Sequence, residues 1–127
     1  FSQVTATPQG APTKKGTQYT QAFKERTGGY PVYAGYYMHD AMNMYANAVK
    51  TTGTTDDDKI VTSLEAMQYD GTVGTIDLRG PDEEFTHDPK YGQDFVQYMY
   101  FQWQQGNQVV FYPDGAATGS YEKASWM

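Results

Sequence analysis

The stretch Tyr30-Pro31-Val32-Tyr33-Ala34-Gly35-Tyr36-Tyr37-Met38-His39-Asp40-Ala41-Met42-Asn43-Met44-Tyr45-Ala46-Asn47-Ala48 carries an extended, proline-containing lead into a long helix. Tyr37, Ala41, Met44, Tyr45 and Ala48 recur at helical spacing and are the expected buried stripe. The opposite stripe, His39, Asn43, Asn47 and Lys50, is polar and expected to face water. Thr52-Gly53-Thr54 ends the helix.

Upstream, Ser2 to Thr7 reads as a short extended piece, broken by Pro8, Gly10 and Pro12. A helix follows from about Thr13 to Thr27, with Tyr19, Ala22, Phe23 and Arg26 on one narrow face and Gly28-Gly29 as its stop. Downstream, a third helix is expected near Asp56. Thr55 and Asp58 have capping-box spacing, the acids suit a helix amino terminus, and Ile60, Val61, Leu64 and Met67 supply a buried face. Thr75 to Arg79 alternates like a half-buried strand, and Gly80 to Asp94 is a polar connection. Two strands are then expected, Phe95 to Gln104 and Gln108 to Tyr112, joined by Gln105-Gly106-Asn107. Met99, Phe101 and Trp103 fall on one face of the first.

Composition bounds the function. At 127 residues the chain can hold one core, and much of its 39% apolar content is tyrosine, phenylalanine and tryptophan, which bury ring bodies and keep polar tips. A net charge of -6 argues against a nucleic-acid partner, which would meet a basic stripe. With no cysteine there is no disulfide, thiol nucleophile or cysteine-ligated metal. No apolar run approaches the roughly 20 residues that span a bilayer.

Candidates for catalysis are few. His39-Asp40 could pair a base with an orienting acid, but adjacent helix residues point about 100 degrees apart, so a surface role is expected. His87-Asp88 lies in the polar connection without a cluster of further ligands. Asp56 to Asp58 lack the alternating oxygen ligands of a calcium loop, and the glycine pairs lack a phosphate-loop context. No metal or cofactor is expected. Tyr30, Tyr33, Tyr36 and Tyr37 are the best site signal, because tyrosines where an extended segment meets a helix can line a cleft while their bodies pack. Core and rim packing would account for them equally.

The order of these pieces is similar to that in type I extracytoplasmic solute-binding proteins, the group that includes branched-chain amino acid and amide receptors of ABC importers. The likeness runs through Val4-Thr5-Ala6-Thr7-Pro8, Phe23 to Gly29, Pro31 to Ala41, Tyr45 to Val49, Gly53 to Asp56, Tyr69 to Gly74, Thr75 to Leu78, Met99 to Trp103 and Val109 to Pro113. His39 stands where the family usually has an aromatic residue.

The resemblance implies an α/β fold of the periplasmic-binding-protein-like I class: two Rossmann-like lobes linked by three crossings, with this chain as the carboxy-terminal part. Residues 1–8 would then lie at a hinge crossing, 9–94 in the amino-terminal lobe, and 95–127 in a hairpin and tail of the other lobe. It also implies a non-catalytic receptor, periplasmic or at the cell surface. Its partners would be a small polar solute, a membrane ABC permease and the missing amino-terminal part of the same protein. By this resemblance the cleft-facing residues are Tyr33, Ala34, Gly35 and Tyr36, with Tyr37 and Asp40 beside them. One alternative keeps the fold in a ligand-sensing domain of a signalling or regulatory protein. Another is a small hydrolase using His39 or His87.

Overall fold

The computed structural model describes residues 2–123 and 125. Phe1, Ala124, Trp126 and Met127, which the expected 1–8 and 95–127 segments include, lie outside the described residues. The elements run β1 (Ser2–Val4), α1 (Lys14–Thr27), α2 (Tyr33–Thr52), α3 (Asp57–Glu65), β2 (Gln68–Asp70), β3 (Thr75–Asp77), β4 (Met99–Gln104), β5 (Asn107–Tyr112) and a short 3-10 turn, Asp114–Ala116.

Two antiparallel sheets hold the strands. β4 is central between β1 and β5, with Gln3 opposite Tyr100 and Phe101 opposite Val110. The β2–β3 hairpin sets Tyr69 opposite Ile76. One core joins them, built from Ala6, Tyr36, Met44, Val73, Met99 and Val110 among others. α1 is anchored by Thr13, whose hydroxyl accepts from the Gly16 N–H as the helix cap and also donates to the carbonyls of Gly71 and Thr72. Gly16 itself sits so close to the β2–β3 turn that a Cβ would come 2.5 Å from the Thr72 carbonyl oxygen. That approach explains why Gly16 and Thr20, rather than Ala22, are the buried positions of α1.

Several sequence expectations shift. The buried row of α2 is Tyr36, Asp40, Met44 and Ala48, one residue round from the expected stripe, and Tyr37, Ala41 and Tyr45 are exposed. The cause is a polar contact that periodicity cannot see: Asp40 turns inward to take hydrogen bonds from the β2–β3 turn. In α3 the cap is Asp56, accepting from the Lys59 N–H, instead of the Thr55–Asp58 box, and Val61 is exposed. β2 has no expected counterpart. The last hairpin turns on two residues, Gln105 and Gly106, both with positive φ (50° and 83°), so Asn107 belongs to the strand opposite Gln104. β4 starts at Met99 instead of Phe95, and Trp103 is exposed although Met99 and Phe101 are buried.

Candidate functional site

The amino-terminal end of α2 is built outward from Tyr36. Its side chain is fully buried, with its hydroxyl 2.6 Å from the Thr20 hydroxyl and its ring edge-on to Tyr19 at 5.1 Å between centroids. Burial pushes its phenol up from the ordinary tyrosine value, partly offset by the Thr20 hydrogen bond. Gly35 lets α1 approach, since a Cβ there would stand 2.9 Å from the Tyr19 hydroxyl. One turn further on, Asp40 is also fully buried; its Oδ2 accepts from the Thr72 N–H at 2.7 Å and the Thr72 hydroxyl at 2.8 Å. Tyr36 and Asp40 thus clamp α2 to α1 and to the β2–β3 turn.

The outward residues are Tyr33, 63% exposed, Ala34, and Tyr37, 38% exposed. The Tyr37 hydroxyl hydrogen-bonds the buried Thr5, which ties the helix to the segment following β1. Burial pushes the Tyr37 phenol up, against the Thr5 hydrogen bond, and nearby Tyr98 and Tyr33 raise it further. Tyr98 stacks on Tyr91 with rings 12° from parallel and centroids 5.3 Å apart, and the Tyr91 phenol is pushed up to about 12, chiefly by burial and then by Tyr98. Tyr33, Tyr37, Tyr91 and Tyr98 therefore form an aromatic neighbourhood reaching from α2 to the residues before β4. The sequence signalled only its first half, because Tyr91 comes from the 80–94 connection, which has no regular period, and Tyr98 was read as part of a strand.

Below Tyr33 is a cavity of about 240 Å³ whose wall includes Val4, Thr7, Pro31, Val32 and Gln108. A second, almost wholly apolar groove of about 320 Å³ runs along the exposed side of α2, between Tyr37, Ala41 and Met44 on one side and Leu64, Val73 and Val96 on the other.

The histidines are held in structural contacts. His39 and Asp40 do meet, with His39 Nδ1 3.3 Å from Asp40 Oδ1, contrary to the expectation for adjacent helix residues, because Asp40 swings inward and the imidazole lies 4.7 Å (centroid to centroid) from the Tyr19 ring. The other imidazole nitrogen faces the Asn43 amide at 3.4 Å. His87 pairs with Glu65 at 2.6 Å, instead of with Asp88, and pins the 80–94 connection to α3. No group of three or more histidine and acidic residues placed to hold a metal ion occurs among the described residues. No helix among them is long and apolar enough to cross a membrane.

A family model described as periplasmic binding protein matches residues 1–106. The chain belongs to the periplasmic binding protein family. Among solved structures it is similar to the leucine-binding protein LivK of Thermotoga maritima, with a TM-score of 0.66 and 16% identity, covering 85% of this chain and 28% of that one. It is also similar to a protein described as a branched-chain amino acid ABC transporter of Silicibacter pomeroyi, with a TM-score of 0.71 and 18% identity, covering 93% of this chain and 33% of the other. A search of curated proteins finds no match. At these identities the structural likeness establishes the fold: α/β, of the type I periplasmic-binding-protein class. The chain spans about a third of the length of those periplasmic-binding-protein structures.

Proposed function

We propose that the full-length protein carrying this chain is a non-catalytic extracytoplasmic receptor, which captures a small polar solute between two lobes and presents it to a membrane ABC permease. The observation that carries this reading is the family match over residues 1–106, combined with an exposed tyrosine, Tyr33, at the start of the helix beside the β1 segment. Residues 1–8 and the strand from Met99 act as neighbouring hinge crossings, a role that the β1–β4 pairing supports. Residues 9–94 belong to the amino-terminal lobe and 95–127 lead into the other. Closure of the lobes on the solute is the working step, driven by the higher affinity of the closed state.

Within this site Tyr33, Ala34, Gly35 and Tyr37 supply the contact surface, while Tyr36 and Asp40, having no exposed surface, hold the start of α2 in place. The amino terminus of α2, whose Val32 cap makes no side-chain hydrogen bond, suits a carbonyl or carboxylate oxygen of the solute. The remaining contacts come from the other lobe. The branched-chain amino acid assignments of the two similar structures make that class of solute the first to test.

The test is mass spectrometry of small molecules released from purified full-length protein, followed by calorimetry of the identified solute with Tyr33→Ala. Release of one solute and a roughly tenfold or greater loss of affinity in the variant are expected. Absence of any bound or bindable solute contradicts the reading.

A further inference from the structure

A cavity of about 550 Å³ lies between residues 91–98 and residues 112–115, and it shares no lining residue with the one beneath Tyr33. Tyr91, Tyr98 and Tyr112 line it and are 42%, 44% and 57% exposed, so their rings are open to a ligand. The rings are also held: Tyr91 and Tyr98 stack on each other, and Tyr100 meets Tyr112 at 64° with centroids 5.9 Å apart. The polar lining is Gln93, Gln97 and Asp114, and no ion pair among the described residues engages Asp114. No Lys, Arg or His lines the cavity. Lys90, next in sequence to Tyr91, is committed to Asp77 at 2.9 Å. An adjoining cavity shares Gln93 and Gln97, adds the acids Asp70 and Asp94, and again has no basic residue in its wall. Lys15, close to that second cavity, is held at the Asp70 carbonyl.

Aromatic faces beside a carboxylate, in a wall without cations, select for positive charge, because a cation over a tyrosine ring is drawn by the negative face of its quadrupole. An anion would meet only repulsion, and a neutral ligand would gain nothing from the charge of Asp114. A divalent metal ion needs several hard ligands, and no group of three or more histidine and acidic residues is placed to hold one among the described residues. A primary ammonium brings three N–H donors and a firmly held water shell, which ring faces do not replace. A quaternary ammonium has no N–H to satisfy, and aromatic walls suit it best. We infer that the cavity of Tyr91, Tyr98 and Tyr112 binds a quaternary ammonium ion, with the rings against its methyl groups and Asp114 as the counter-charge. This site is separate from solute capture beneath Tyr33 and does not depend on it.

The test is calorimetric titration of the full-length protein with choline and with neohexyl alcohol, its uncharged isostere with carbon in place of nitrogen. Choline is expected to bind at least about tenfold more tightly than the alcohol, with the same affinity whether or not the protein's released solute is present. Tyr112→Leu should weaken choline by about fivefold or more, whereas Tyr112→Phe should retain it because the ring face remains. Both changes remove the hydroxyl and keep an apolar side chain, so their difference reads the ring and not the fold. Asp114→Asn should weaken choline and leave the alcohol unchanged. Equal binding of the two probes, binding of neither, or equal choline affinity in the Tyr112→Leu and Tyr112→Phe variants overturns the inference. Displacement of choline by the released solute overturns it too, since the cation then occupies the receptor's own site, and the receptor reading survives that result. Choline binding in a protein that captures no other solute sinks the receptor reading and leaves this inference standing.

Discussion

Asp40 shows how one side chain can set the rotation of a helix. A carboxylate buried at this depth is tolerated because its oxygens take hydrogen bonds from the Thr72 N–H and hydroxyl and lie against His39. Asp40→Ala leaves the Thr72 N–H unpaired in the core and the Thr72 hydroxyl with only its longer bond to the Tyr36 carbonyl, and is expected to cost about 2–4 kcal/mol, measured by urea unfolding of the full-length protein. Tyr36→Phe removes only the hydroxyl contact to Thr20, which keeps its bond to the Gly16 carbonyl, so about 1 kcal/mol is expected. Asp77 gives the pH-dependent case. Hydrogen bonds from Lys90 first and Gln68 next hold its carboxyl below the usual carboxylate value. The stabilisation is therefore complete above about pH 4, the unfolded value, and is lost as pH falls through the lower folded value. Asp77→Asn should flatten the acid limb of the stability profile below about pH 4 while lowering stability at neutral pH. None of these partnerships was legible in the sequence: Asp40 reads as a polar interruption of an apolar helix, and its partner Thr72 lies in a turn 32 residues away.

At the scale of elements, the helices announced themselves, and β1 and β3 fall within the extended stretches expected at Ser2 to Thr7 and Thr75 to Arg79, whereas β2 did not show. α1 and α2 follow from period and stops, and their observed limits, Lys14–Thr27 and Tyr33–Thr52, match the spans read from Thr13, Gly28 and Gly53. The long α2 was legible, but its buried face was misplaced by one position because apolar period cannot weigh an inward acid against an outward tyrosine. β2 went unseen since three residues, Gln-Tyr-Asp, carry too little alternation to mark a strand. Trp103 shares a face with the buried Met99 and Phe101 by parity, yet it lies near the hairpin end and is exposed. The packing of α1 on the β2–β3 turn makes a sharp prediction. Gly16→Ala gains helix propensity of about 1 kcal/mol, but its Cβ would be driven to 2.5 Å from a backbone oxygen that cannot rotate away. A net destabilisation of about 1–3 kcal/mol is expected in thermal or urea unfolding. A neutral or stabilising result would mean that α1 is free to withdraw from the turn.

At the scale of the whole molecule, α2 has apolar residues on more than one face. Tyr36, Met44 and Ala48 enter the core, while Met38, Met42 and Tyr45 remain exposed and the groove beside Ala41 is lined by apolar side chains. A helix apolar on opposing sides belongs between two layers. The chain spans about a third of the length of the similar structures, and in the proposed two-lobe reading the second layer comes from the rest of the protein. Isolated, the 127-residue chain is expected to bind a hydrophobic dye and self-associate in sedimentation, and Met42→Glu should reduce both. The family was legible because the order of its pieces survives where each piece is loose. The solute was not, because in the proposed reading a ligand held between two lobes is chosen by both. The central claim is solute capture through the start of α2, and calorimetric titration of the full-length protein with its released solute, beside Tyr33→Ala, tests it most directly. Binding by the parent protein with at least about a tenfold loss in the variant is the predicted result; equal affinity in both would contradict it.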